Sequence, residues 1–216
     1  MPMVQGGISL MPVTISHTAD PFSATNATAY TFSGAALGTA AANRKISVGV
    51  VGAVLGAPAV STLTIGGVSA SVVIAAEGTD ATGEIWAADV PTGTTGDIVV
   101  TFASGSGRCC LSVDAIYGAG TSAHATASSG AATLSASLEI PNGGVATAIA
   151  FTGGTSPART HTWANLTEDF DDVIETDNAY TGAHDAFPVG STPTITCAPS
   201  GSESRRVLVL ASWGPA

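Results

Sequence analysis

The chain has 216 residues, enough for one large β-sandwich or two domains of about 100 residues each. Six basic residues stand against sixteen acidic ones, for a formal net charge of −10. No basic patch can be built to neutralise phosphates, so nucleic acid is excluded as a partner and docking on an anionic membrane is disfavoured. Only 10% of residues are charged, against roughly 25% in an average soluble domain, and Gly, Ala, Ser and Thr fill the gap. So neutral a surface suits a protein that stays docked against others.

Residues 1–22 read as an irregular N-terminal arm, punctuated by Pro2, Pro12 and Pro21 and expected to order only against a partner. Its first residues carry neither a positive n-region nor a continuous apolar stretch, so no signal peptide is expected. Residues 23–119 form a first β unit, with strands predicted at 30–33, 45–54, 61–65, 69–76, 84–89, 98–103 and 109–117. The uncharged stretch 46–76 is long enough to span a bilayer, but Pro58 and its β-branched alternation make it strands, without membrane insertion. Gly66-Gly67 predicts a tight hairpin leading into 69–76. Residues 120–132 read as a small-residue linker. Residues 133–216 form a second unit, with strands at 133–140, 145–151, 161–166, 172–175, 179–187, 194–198 and 207–213. No run of ten residues has a helical period, so almost no helix is expected.

The stretch 97–118 has an echo at 193–214, a spacing of about 96 residues. Each copy is an apolar run, a Ser-Gly-Ser tip, arginine, then a second apolar run ending in Tyr117-Gly118 or Trp213-Gly214. The expected fold is therefore all-β: two tandem, internally repeated antiparallel sandwiches of jelly-roll or immunoglobulin-like type, or the two merged into one.

Chemistry-bearing residues are few. Cys109, Cys110 and Cys197 read first as reduced, buried small hydrophobes, ahead of a disulfide or a zinc site; the 96-residue spacing puts Cys197 at the place of Thr101. His17, His124, His161 and His184 have no metal-ligand spacing, although His161 and His184 could meet across a sheet. No nucleophile elbow, phosphate loop or dinucleotide fingerprint occurs, so neither catalytic residues nor a cofactor are expected. Glu168, Asp169, Asp171, Asp172, Glu175 and Asp177 put six carboxylates into ten residues. The leading reading is a solvated acidic face. Calcium ligation, with Glu168, Asp169, Asp171, Asp172 and Asp177 as weak candidates, and a glycosidase carboxylate pair rank below it. Arg44, Lys45, Arg108, Arg205 and Arg206 stand where long apolar strands begin. They read as charges blunting sheet edges, with a row of guanidinium groups docking on a partner's carboxylates as the alternative. Trp86, Trp163 and Trp213 read as core anchors.

Asn43-Arg44-Lys45-Ile46 opening a strand, Leu63-Thr64-Ile65-Gly66-Gly67, Glu84-Ile85-Trp86 running to Pro91-Thr92-Gly93, and Ile98-Val99-Val100-Thr101-Phe102 resemble the β-sandwich modules of tailed-phage virion proteins, which also occur in bacterial surface proteins. The resemblance covers residues 29–119 well and 130–214 faintly. It implies a structural virion component assembled in the host cytoplasm and released by lysis, most simply a capsid decoration, cement or head-fibre protein. Its expected partners are other capsid or tail proteins and further copies of itself, homotrimers being common in this class. The alternative it implies is a tail-tip or cell-surface module that binds a receptor or host glycan.

Overall fold

Inward apolar residues alternating with outward Thr, Ser and Ala make strands throughout, and no α-helix occurs among the described residues. The computed structural model describes residues 11–53, 58–154 and 156–216. Expectations for residues 1–10 and for Val54 fall outside them. In the first half the strands are β1 (Thr14–Ala19), β2 (Phe22–Ser23), β3 (Ala27–Ala36), β4 (Arg44–Ala53), β5 (Val60–Ile65), β6 (Val68–Ser69), β7 (Ser71–Glu77), β8 (Ala81–Asp89), β9 (Thr95–Ser106) and β10 (Cys109–Tyr117). The second half has β11 (Ala125–Ser129), β12 (Leu134–Ser137), β13 (Gly144–Gly153), β14 (His161–Ala164), β15 (Thr167–Glu175), β16 (Asn178–Phe187), β17 (Thr194–Pro199) and β18 (Arg205–Trp213). No described helix is long and apolar enough to cross a membrane.

Among the described residues four antiparallel sheets result. A first outer sheet runs β3-β9-β5-β6 and a first inner sheet β1-β10-β4-β8-β7, with β2 also on β10. The second inner sheet runs β11-β18-β13-β16-β15 and the second outer sheet β12-β17-β14. The order of the first pair thus returns in the second. Three apolar cores stack between the four layers. Tyr30, Leu63 and Val100 meet Ile46, Val48 and Leu111 in the first sandwich. Leu134, Ile195 and Cys197 meet Ala148, Leu208 and Leu210 in the second. Between the inner sheets, Val51, Ile85, Cys110 and Ile116 meet Ile149, Phe151, Val207 and Val209. The inner sheets are therefore covered on both faces, which is why β10, β13 and β18 are apolar almost without interruption. Glycine lets them approach: a Cβ on Gly49 would stand 2.8 Å from Ile149 Cγ2, and one on Gly83 2.9 Å from Val207 Cγ2. The two sandwiches are joined through this third core.

Four sequence expectations need correction. Residues 14–19 of the arm are not irregular: β1 pairs with β10, with His17 opposite Asp114. The partner that orders this stretch is the chain's own sheet, and Pro12 and Pro21 merely bracket an edge strand. The linker likewise contains β11, an edge strand on β18 whose small residues carry no apolar alternation. Gly66 and Gly67 do turn with positive φ, 58° and 81°, between β5 and β6. The chain then leaves that hairpin, and β7 joins the other sheet. Finally, the 96-residue spacing, which sets Cys197 at the place of Thr101, joins residues on opposite faces of their sheets. A one-residue slip exchanges the two faces of a strand. Cys197 accordingly points inward, as Val100 does, whereas Thr101 points out.

Candidate functional site

At one end of the seam between the inner sheets, two polar rungs face each other. In the first inner sheet β1, β10 and β4 align His17, Asp114 and Ser47; in the second, β13 and β16 align Thr147 and His184. Apolar residues surround these groups, and all but Ser47 bond one another or Asp169. His17 Nδ1 lies 3.2 Å from Asp114 Oδ1, and the Thr147 hydroxyl donates to Asp114 Oδ2. Asp169 is the unpaired residue of a β-bulge between Glu168 and Phe170, and its carboxylate meets His184 Nδ1 at 2.7 Å. Burial opposes protonation of His17, but the hydrogen bond and charge of Asp114, with the charges of Asp169 and Asp20, raise its pKa overall. His184 is raised by its hydrogen bond to Asp169, against burial. One donor atom each from His17, Asp114 and Asp169 lies within 4.8 Å of the others, so this group could hold a metal ion. Of these residues, sequence reasoning had singled out Asp169 alone as a candidate; the bulges beside His17 and at Asp169 leave no readable spacing.

The rest of the acidic run divides between pairing and exposure. Asp171 takes the backbone N–H of His161 at 2.7 Å and its Nδ1 at 2.6 Å. Glu175 pairs with Arg108, and Asp177 lies 3.9 Å from Arg205. Burial and the neighbouring Asp171 carboxylate raise the pKa of Glu168; burial and the charge of Asp20 raise that of Asp172. A wholly solvated acidic face is thus replaced by a partly neutralised edge, and the five calcium candidates do not converge on one point. His161 and His184 do not meet either: one serves the second outer sheet, the other the seam.

The basic row is likewise not a docking row at its first members. Arg44 is 1% exposed and donates to the carbonyls of Val90, Gly38, Thr92 and Gly93 at 2.7–2.9 Å. Lys45 is buried and pairs with Asp89 at 2.6 Å. Arg206 donates to the carbonyls of Gly130 and Glu203. The two guanidinium groups tie loops to strands, and the ammonium ties β4 to β8.

One arrangement has the order of a hydrolytic triad. His161 Nε2 lies 2.8 Å from Thr152 Oγ1, with Asp171 on its other nitrogen. Thr152 and the His161 side chain are buried, so no substrate reaches the hydroxyl, and the group works as a clamp between sheets. Cys109, Cys110 and Cys197 are free thiols in the three successive cores, and burial pushes each thiol well up. Trp86 and Trp213 are buried and Trp163 half-buried, donating to Thr181 at 2.9 Å. A cleft of about 500 Å³ opens at the far end of the seam, beside Lys45, Asp89, Ser71, His124 and Thr126.

Comparison of the chain with family models, with curated proteins and with solved structures finds no match.

Proposed function

We propose that this chain is a non-enzymatic structural component of a bacteriophage virion, a capsid decoration, cement or head-fibre protein assembled in the host cytoplasm and released by lysis. The observation that carries this reading is the make-up of the outer sheets. On the first, Thr31-Val99-Thr64 and Ala29-Thr101-Thr62 form successive outward rungs. On the second, Ser135 bonds Thr196 at 3.0 Å and Ser137 bonds Thr194 at 3.1 Å. These rungs hold no ionisable group. Such rungs can be laid against a capsid, a tail protein or another copy of the chain, as in a homotrimer, with the exposed Asp97 beside the first of them kept in water at the margin. The resemblance of residues 29–119 to virion modules supplies the setting.

A tail-tip or surface module binding a glycan is the second reading, and the polar cleft beside Lys45 and Asp89 favours it. Immunogold labelling of phage particles from the source culture separates the two. Gold over the head supports decoration; gold at the tail tip transfers the assignment to the second reading. Particles that carry no label overturn the virion reading and leave the bacterial cell-surface module.

A further inference from the structure

A divalent ion needs donors that converge from several elements, and the polar end of the seam brings three together. His17 on β1, Asp114 on β10 and Asp169 on β15 each offer a donor atom, all within 4.8 Å of one another. Three further observations set this group apart from acidic proximity. His17 Nε2 is buried without a hydrogen-bond partner among the described residues, with the Asp20 carboxylate 3.9 Å from it. The carboxylates are held from behind, Asp114 by the Thr147 hydroxyl and Asp169 by His184 Nδ1, the kind of support that ligands of bound metals carry. Both strands break register here, β1 just after His17 and β15 at Asp169, and bulges re-aim side chains out of the sheet's alternation.

We infer that His17, Asp114 and Asp169, braced by Thr147 and His184, bind one divalent transition ion of the zinc class between the two sandwiches. An imidazole with two carboxylates selects zinc over calcium, which takes oxygen donors. Zinc bonds of about 2.0–2.2 Å require the donors to draw inward. His17, on an edge strand, and Asp169, in a bulge, are placed to swing. Asp114, 1% exposed, is the fixed point. The bound ion ties the N-terminal strand and the first sandwich to the second. This site stands whether or not the chain belongs to a virion.

The test uses the full chain, stripped with a chelator and titrated with Zn²⁺ alone by calorimetry, with parallel thermal melts and X-ray absorption. The expected result is a single saturable zinc, a raised Tm, and a first shell of nitrogen and oxygen without sulfur. Asp169→Asn should abolish binding, and His184→Gln should weaken it about 10- to 100-fold. Glu168→Gln and Asp185→Asn, on neighbouring acids outside the group, should leave it intact. Several outcomes overturn the site: no saturable zinc on the native chain, sulfur in the first shell, undiminished binding by Asp169→Asn, or calcium competing on equal terms.

Discussion

The two sandwiches share a strand order and a way of clamping their sheets together, yet they build the clamp from different residues. In the first, the backbone N–H of Val60, where β5 begins, donates to Glu84 of the inner sheet at 2.7 Å, and Trp86 Nε1 donates to the other carboxylate oxygen at 2.7 Å. In the second, the N–H of His161, where β14 begins, donates to Asp171 at 2.7 Å, and the imidazole bridges on to Thr152. A carboxylate caps the first N–H of an outer-sheet strand in both. It sits on β8 beside an indole in one and on β15 beside an imidazole in the other. The backbone need is common; the side chains that meet it are not, and an alignment of the two halves misses the correspondence.

The sharpest way to break the comparison is to remove the one side chain that the second clamp has and the first lacks. His161→Ala leaves Asp171 and Thr152 without their buried partner and opens a cavity. It should destabilise the chain by about 3–5 kcal/mol. Urea unfolding measures this, and a midpoint within error of the native protein's would mean that the second clamp contributes nothing.

Next in size is the seam. Gly49 of β4 and Ile149 of β13 face each other across it. Gly49→Val puts a branched side chain where a Cβ alone is already too close to Ile149. It should cost about 1–3 kcal/mol through overpacking. Hydrogen exchange should show amides of β4 and β13 losing protection together; unchanged exchange would mean that the inner sheets do not need this approach.

The strands of both sandwiches were legible because inward alternation and Gly-Pro punctuation are strong in each. β1 and β11 were not, since an edge strand covered on one side by a sheet needs little apolar patterning. The polar end of the seam was hidden for a related reason. Bulges at Asp169 and next to His17 break the period of two on which a reading of sidedness depends. A run of six carboxylates in sequence therefore looks like one exposed face, while Asp169 and Asp171 serve the seam and the clamp. Arg44 was misread through its position: it opens a strand, as an edge charge would, but the Pro91-Thr92-Gly93 turn folds its carbonyls over the guanidinium.

A smaller effect sharpens the first clamp. Burial raises the pKa of Glu84, against the hydrogen bonds from Val60 and Trp86 that lower it. The folded-state pKa lies above the unfolded one, so the folded state holds more protons in between. Native stability must therefore fall as pH rises from about 4.5 through the raised value, and level off above it. Glu84→Gln keeps one acceptor for two donors. At neutral pH it should cost about 1–2 kcal/mol, one unsatisfied buried donor, and it should lose Glu84's contribution to the acid-range slope. Chemical denaturation of both proteins from pH 4 to 8 checks it; parallel pH profiles would show that Glu84 does not titrate across that range.

The least effect belongs to the basic row. Arg205 is one-third exposed, 3.9 Å from Asp177 and 3.4 Å from Asn178 Oδ1, a solvated pairing of the kind that contributes little. Arg205→Ala should change the unfolding free energy of the isolated chain by less than about 0.5 kcal/mol. Arg44, buried among four carbonyls, has no freedom to act outside the fold, so a partner's carboxylates would have to be met by Arg205. A variant that melts like the native chain yet fails to co-sediment with particles would place Arg205 at an interface. One that melts markedly lower would show that both arginines are internal ties and that the second sandwich depends on its cations as the first does.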